Sequence, residues 1–208
     1  MTVERYNAAS GDAIIRDAAC VLVVDDDAGQ LRLLLGQRRP DQVFMPDKWV
    51  FPGGRVDAAD FGANATAMLQ FGSLALRHFA NAAVRELKEE TGFAAAPGSA
   101  VHLQPLARAI TPPGNPRRFD TWFFLAKRSA FAPDQSLADG ELLNLGWFTL
   151  PETRRLDLPF ITRLIVDDAE ARLGAPSEVP PSEVPFYFQN DQGYQRSLLD
   201  LGCAGGEP

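Results

Sequence analysis

The chain has 208 residues, 46% of them hydrophobic and 23% charged, with a formal net charge of −7. This balance fits one globular domain with a real core plus extensions. The acidic excess argues against a general nucleic-acid-binding surface. Two widely separated cysteines, Cys20 and Cys203, argue against a disulfide framework, and no apolar run approaches the ~20 residues of a membrane span.

Residues 1–12 carry no periodicity and read as a loose N-terminus ahead of a domain over 13–175. With no basic-then-apolar leader, the expectation is a cytoplasmic protein with neither membrane nor nucleic acid as partner. Ala18 to Val24 and Leu31 to Leu35 are apolar runs flanking the polar turn Asp25 to Gln30, the pattern of a β-hairpin. Arg38 and Arg39 end the second strand; they either serve solubility or clamp a diphosphate bidentately. Trp49-Val50 runs into Phe51-Pro52-Gly53-Gly54 as a strand-to-loop junction.

Ala63 to Gln70 has helix-forming composition, and a long helical stretch follows to Thr91. Val101 to Ile110 has strand character, Thr111 to Pro116 is a rigid proline-glycine loop, and Arg117 to Ala126 returns as an aromatic-rich strand. Leu142 to Leu150 reads as another strand, Pro151 as a helix start, and Phe160 to Leu173 has helical spacing. After Gly174 the segment Pro-Ser-Glu-Val-Pro occurs twice in succession, a spacer opening an extension over 176–208. Phe186-Tyr187-Phe188 and Leu198-Leu199 predict that this tail docks back on the domain. Strands alternating with helices at these spacings give a mixed α/β or α+β domain.

The stretch Arg85-Glu86-Leu87-Lys88-Glu89-Glu90-Thr91-Gly92-Phe93 carries the chemistry. On a helix, Glu86, Glu89 and Glu90 fall within about 100° and ~6 Å of one another. Leu76, Ala80, Val84 and Leu87 form an adjoining apolar stripe, while Arg77, Asn81 and Lys88 point to water. Like charges one turn apart destabilise a helix by roughly 0.2–0.5 kcal/mol per pair, so stability does not explain the cluster. A hard divalent cation does, since magnesium prefers carboxylate oxygens. Arg85 flanks the acidic face, and Gly92 suits the position that stops the helix.

Together with Gly53-Gly54, these residues resemble the Nudix hydrolase signature, G-x5-E-x7-R-E-U-x-E-E-x-G-U with U aliphatic. The second half is present except that Phe93 stands where an aliphatic residue is usual. In the first half, Asp60 replaces Glu, and 24 residues (61 to 84) lie between Asp60 and Arg85 where the signature has seven. That is read as an insertion at about 61–77, serving as a lid, a dimer surface or an inert elaboration. Asp60 is as well suited to a helix cap or a pair with Arg85 as to a catalytic role, and Asp57 competes for its place.

The resemblance implies a Nudix α/β/α sandwich with a mixed central sheet, and hydrolysis that depends on Mg2+ or Mn2+. Glu86, Glu89 and Glu90 would be metal ligands with the carbonyl of Gly53; Glu89, Glu90, Arg85 and the loop acid Glu141 are the implied catalytic groups. Arg38, Arg39, Arg117 and Arg118 are candidates for substrate phosphates. Leu33 to Arg39, Trp49 to Asp60 and Thr111 to Thr121 resemble the coenzyme A diphosphatase branch. The expected substrate is therefore coenzyme A or acyl-coenzyme A, a small molecule with a nucleoside diphosphate. The alternatives are ADP-ribose or a dinucleotide, or a catalytically silent ligand-binding module, which the intact acids disfavour. A homodimer is left open.

Overall fold

Strand β1 (Ile15–Asp25) shows why the chain folds in three layers: Ala19, Val21 and Val23 belong to one buried cluster, Leu22 and Val24 to another. A strand buried on both faces needs a cover on each side. The computed structural model describes residues 13–26, 29–62, 67–69, 74–96, 101–133, 140–175 and 181–203. The expectations for residues 1–12, for 176–180 and for Ala63 to Thr66 lie outside them.

β8 (Arg118–Lys127) runs parallel to β1 from Ile15↔Arg118 to Val24↔Lys127 and alternates in step, with Trp122, Phe124 and Ala126 on one face and Phe123 and Leu125 on the other. The main path of the sheet is β10 (Leu142–Thr149), β2 (Arg32–Arg38), β1, β8, β7 (Val101–Ile110), β11 (Glu183–Asn190) and β12 (Gly193–Asp200). The β1–β8 and β7–β11 pairs are parallel and the others antiparallel, so the central sheet is mixed. Short β3 (Trp49–Val50) pairs with β2, and β4 (Gly53–Arg55) with β1. β6 (Phe93–Ala95) and β9 (Phe131–Pro133) form a separate two-stranded ladder.

Helix α1 (Arg77–Thr91) lies on the first face through Ala80, Ala83, Val84 and Leu87. Short α2 (Leu150–Thr153) follows β10, with Pro151 in its first turn and a reciprocal Thr149–Glu152 cap. Helix α3 (Phe160–Gly174) covers the second face with Ile165, Val166 and Ala169. No described helix is long and apolar enough to cross a membrane.

Two local expectations are corrected. Within the segment of helix-forming composition, Ala67–Leu69 is β5, parallel to β7 through Ala67↔Val101 and Leu69↔Leu103. Ala67 is buried and Met68 exposed, the two-residue alternation of a strand, and pairing with the Val101–Leu103 end of β7 outweighs a weak local helix preference. Asn81 does not point to water: it is half-buried, and its Nδ2 donates to the Asp60 carbonyl at 2.7 Å. The C-terminal tail docks as a hairpin, with Phe186 and Tyr187 opposite Arg108 and Ala109 of β7.

Candidate active site

The end of α1 is fixed by Gly92, left-handed at φ 73°, whose N–H donates to the Lys88 carbonyl at 2.9 Å. This termination places the three acids at one edge of the helix, in three environments. Glu90 is 2% exposed, Glu86 is largely covered, and Glu89 is open to solvent.

Arg85 ties the group together. Its Nη1 donates to Glu86 Oε1 at 2.8 Å and to Glu89 Oε2 at 2.9 Å. Nε and Nη2 grip both oxygens of Asp60 at 3.1 and 3.0 Å, and Nη2 also reaches the Arg55 carbonyl. Asp60 is 4% exposed and accepts from the Asp57 N–H at 2.7 Å, capping the turn Ala58–Phe61. Asp60 is therefore both the cap and the partner that aims Arg85, while Asp57 is turned to Arg55 at 3.2 Å.

The glycines bring backbone where a side chain cannot go. Gly53 has φ +156°, and a Cβ there would sit 2.3 Å from the Ala19 carbonyl oxygen. Its N–H donates to Glu90 Oε2 at 2.8 Å. At Gly54 a Cβ would lie 2.5 Å from the Glu86 carboxylate. The loop is thus pressed onto two of the three acids.

Burial pushes the Glu90 carboxyl up to about 8, opposed by the Gly53 N–H and reinforced by the charge of Glu86. Burial also raises Glu86 against the pull of Arg85, and the charge of Glu141 acts on both acids. Among the described residues, no three His, Cys, Asp or Glu side chains close on one point, because Glu86 and Glu89 are drawn to Arg85 and Glu90 to Gly53. The donor chemistry nonetheless fits a hard divalent cation: the donors are all oxygen, and two buried acids carry a repulsion that positive charge would relieve.

A cavity of about 590 Å³ opens beside these acids on the α3 side of the sheet. Glu86, Gly53, Gly54, Arg55 and Asp57 line it. Arg38, Arg117 and Glu141 also line it, whereas Arg39 and Arg118 are not among its lining residues. Arg39 is exposed and paired with Asp41 at 3.0 Å; Arg118 is buried, its Nε donating to the Thr111 carbonyl. Cys20 faces the cavity, but burial and the charges of Glu90 and Glu86 push its thiol up to about 12, which makes it a poor nucleophile.

The model of the NUDIX domain family matches residues 15–168. The chain belongs to this family. Among solved structures similar to this Nudix hydrolase is the NUDIX hydrolase from Alicyclobacillus acidocaldarius, at 23% identity over 81% of this chain and 99% of that one, with a TM-score of 0.63. The MutT NUDIX hydrolase from Burkholderia pseudomallei matches at 22% identity over 74% and 96% of the two chains, TM-score 0.51. The NUDIX domain of Shewanella oneidensis NrtR, complexed with ADP ribose, matches at 17% identity over 75% and 86%, TM-score 0.51. At these identities the likeness establishes the fold. No curated protein matches by sequence.

On this Nudix frame, sequence reasoning missed Arg16, which lines the cavity with Ala18 and Cys20. The three alternate along β1, so a period of two counted back from Cys20 would have found it. Phe44, Phe160 and Tyr194 also line the cavity and come from three separate segments, for which no local signal exists.

Proposed function

We propose that this Nudix hydrolase uses Mg2+ or Mn2+ to cleave the diphosphate linkage of coenzyme A or acyl-coenzyme A. The observation that carries this reading is the charge pattern of the cavity. Arg16, Arg38 and Arg117 line it, and among the described residues none of them forms an ion pair, although Arg38 Nε donates to the Phe44 carbonyl at 3.0 Å. Three guanidiniums without a close carboxylate partner, beside a pair of acids raised by burial, suit a ligand with several phosphates, as coenzyme A has.

Glu86, Glu89, Glu90 and the Gly53 carbonyl would hold the cation, which supplies charge neutralisation at the phosphoryl oxygens and eases deprotonation of water. Arg85 steadies Glu86 and Glu89, and Asp60 steadies Arg85. Arg38, Arg117 and Arg16 take the phosphates, roles that Arg39 and Arg118 are poorly sited to fill. Glu141, exposed on the cavity wall, accepts the proton of the attacking water. The residues between Asp60 and α1 are read as an insertion in the family signature, within which β5 pairs with β7.

ADP-ribose is the second reading, supported by the ligand of the Shewanella oneidensis domain. A magnesium-supplemented phosphate-product screen over coenzyme A, octanoyl-coenzyme A, ADP-ribose, NADH and nucleoside triphosphates separates the two. The expected result is the highest kcat/KM on a coenzyme A substrate. Preference for ADP-ribose would replace the substrate, and silence on all of them would remove the enzyme reading.

A further inference from the structure

The family match ends at residue 168, yet the hairpin β11–β12 over 183–200 contributes to the cavity. Tyr194, the second residue of β12, lines it and meets Phe160 at the start of α3 edge to face, with ring centroids 5.2 Å apart at 76°. Phe160 is 63% exposed and Tyr194 37%, so neither ring serves the core. Tyr194 is supported from behind. Tyr194 stacks on buried Tyr187 at 6.2 Å, and the Tyr187 hydroxyl donates to Asp168 of α3 at 2.7 Å while accepting from Arg196 Nε at 3.2 Å. Ile161 continues the apolar surface into the cavity. The cavity lining thus combines charge, from Arg16, Arg55, Asp57 and Glu86, with the exposed rings of Phe160 and Tyr194.

We propose that Tyr194 and Phe160 form an apolar wall of the substrate cavity and seat an apolar group covalently joined to the phosphate-bearing part of the substrate. The C-terminal hairpin then selects substrates while the family domain carries the chemistry. This rests on the diphosphatase reading for its kinetic test. Rigid aromatic rings presented to a cavity give contact area at little entropic cost, the property a specificity wall needs. An alkyl chain fits this surface, whereas the adenine ring is common to every probe used below.

The test compares Tyr194→Ala, Tyr194→Phe and Phe160→Ala with wild type on octanoyl-coenzyme A, coenzyme A and NADH. Tyr194→Ala and Phe160→Ala are expected to raise KM about 5- to 10-fold for octanoyl-coenzyme A, whose alkyl chain meets the wall. In the same variants KM for coenzyme A, which lacks the chain, rises by a smaller factor than KM for octanoyl-coenzyme A; Tyr194→Phe keeps wild-type values. A KM unchanged for every probe, or raised equally for all three, overturns the proposal. Equilibrium binding of the same probes keeps the two readings apart. A Kd weakened selectively by Tyr194→Ala, with no turnover in wild type, would sink the hydrolase reading and support the wall; an unchanged Kd would sink the wall.

Discussion

Replacing Gly54 by alanine adds a single methyl group aimed at Glu86. The new Cβ would lie 2.5 Å from the Glu86 carboxylate, whereas ordinary contact begins at 3.4 Å. Gly54 does not have the left-handed backbone that alanine resists, so the side chain of Glu86 is what must give way. It has to retreat by about 0.9 Å, and a misplacement of about 1 Å in a catalytic group is worth on the order of 100-fold in rate. Steady-state hydrolysis of coenzyme A in magnesium should therefore show kcat down about 100-fold. The urea midpoint should shift by less than the equivalent of about 1 kcal/mol, since a tolerated Gly-to-Ala change is mildly stabilising. Gly53→Ala is the contrast: its Cβ would strike the backbone of Ala19 and Cys20, so folding stability should fall with activity. A Gly54→Ala enzyme with kcat within threefold of wild type would refute the claim that the loop fixes Glu86 for catalysis.

Three further outcomes follow from the same geometry. Asp60→Ala removes both acceptors of the Arg85 fork and should destabilise the fold by about 2 kcal/mol by urea titration, below the range for a fully buried pair because Arg85 is partly solvated; a stable, fully active variant would deny the aiming role of Asp60. Arg38→Ala and Arg117→Ala should each raise KM about tenfold with a smaller change in kcat, and the weakened binding should lose part of its salt dependence. Glu141→Gln should cut kcat by about 10- to 100-fold with KM retained; near-normal turnover would remove Glu141 from the proton transfer.

The parts of the fold that were legible are those in which local pattern and tertiary environment agree. In α1 the spacing of Ala80, Val84 and Leu87 and the stop at Gly92 fix both the buried face and the end of the helix, which is why the three acids could be grouped from sequence. The hairpin of β1 and β2, and strands β7 and β8, carry enough apolar or aromatic content to be read alone. β5 could not be read, because three residues have too little pattern and their state is set by Val101 to Leu103, 34 positions later. Adjacent arginines were equally opaque: Arg117 faces the cavity and Arg118 is buried, a difference made by strand alternation at a boundary no local signal fixes to one residue. The wall at Tyr194 depends on a hairpin docking at the far end of the chain, which composition suggests only as contact and not as place.

The whole account depends on the acids of α1 holding a divalent cation, and Mn2+ titration followed by electron paramagnetic resonance measures this directly. Wild type should bind Mn2+ stoichiometrically, lose hydrolysis to a chelator and regain it on addition of Mg2+ or Mn2+. Glu86→Gln, Glu89→Gln and Glu90→Gln should each weaken Mn2+ at least about tenfold, as loss of a charged ligand requires. Equal Mn2+ affinity and equal turnover in the triple Glu-to-Gln variant and wild type would contradict the account.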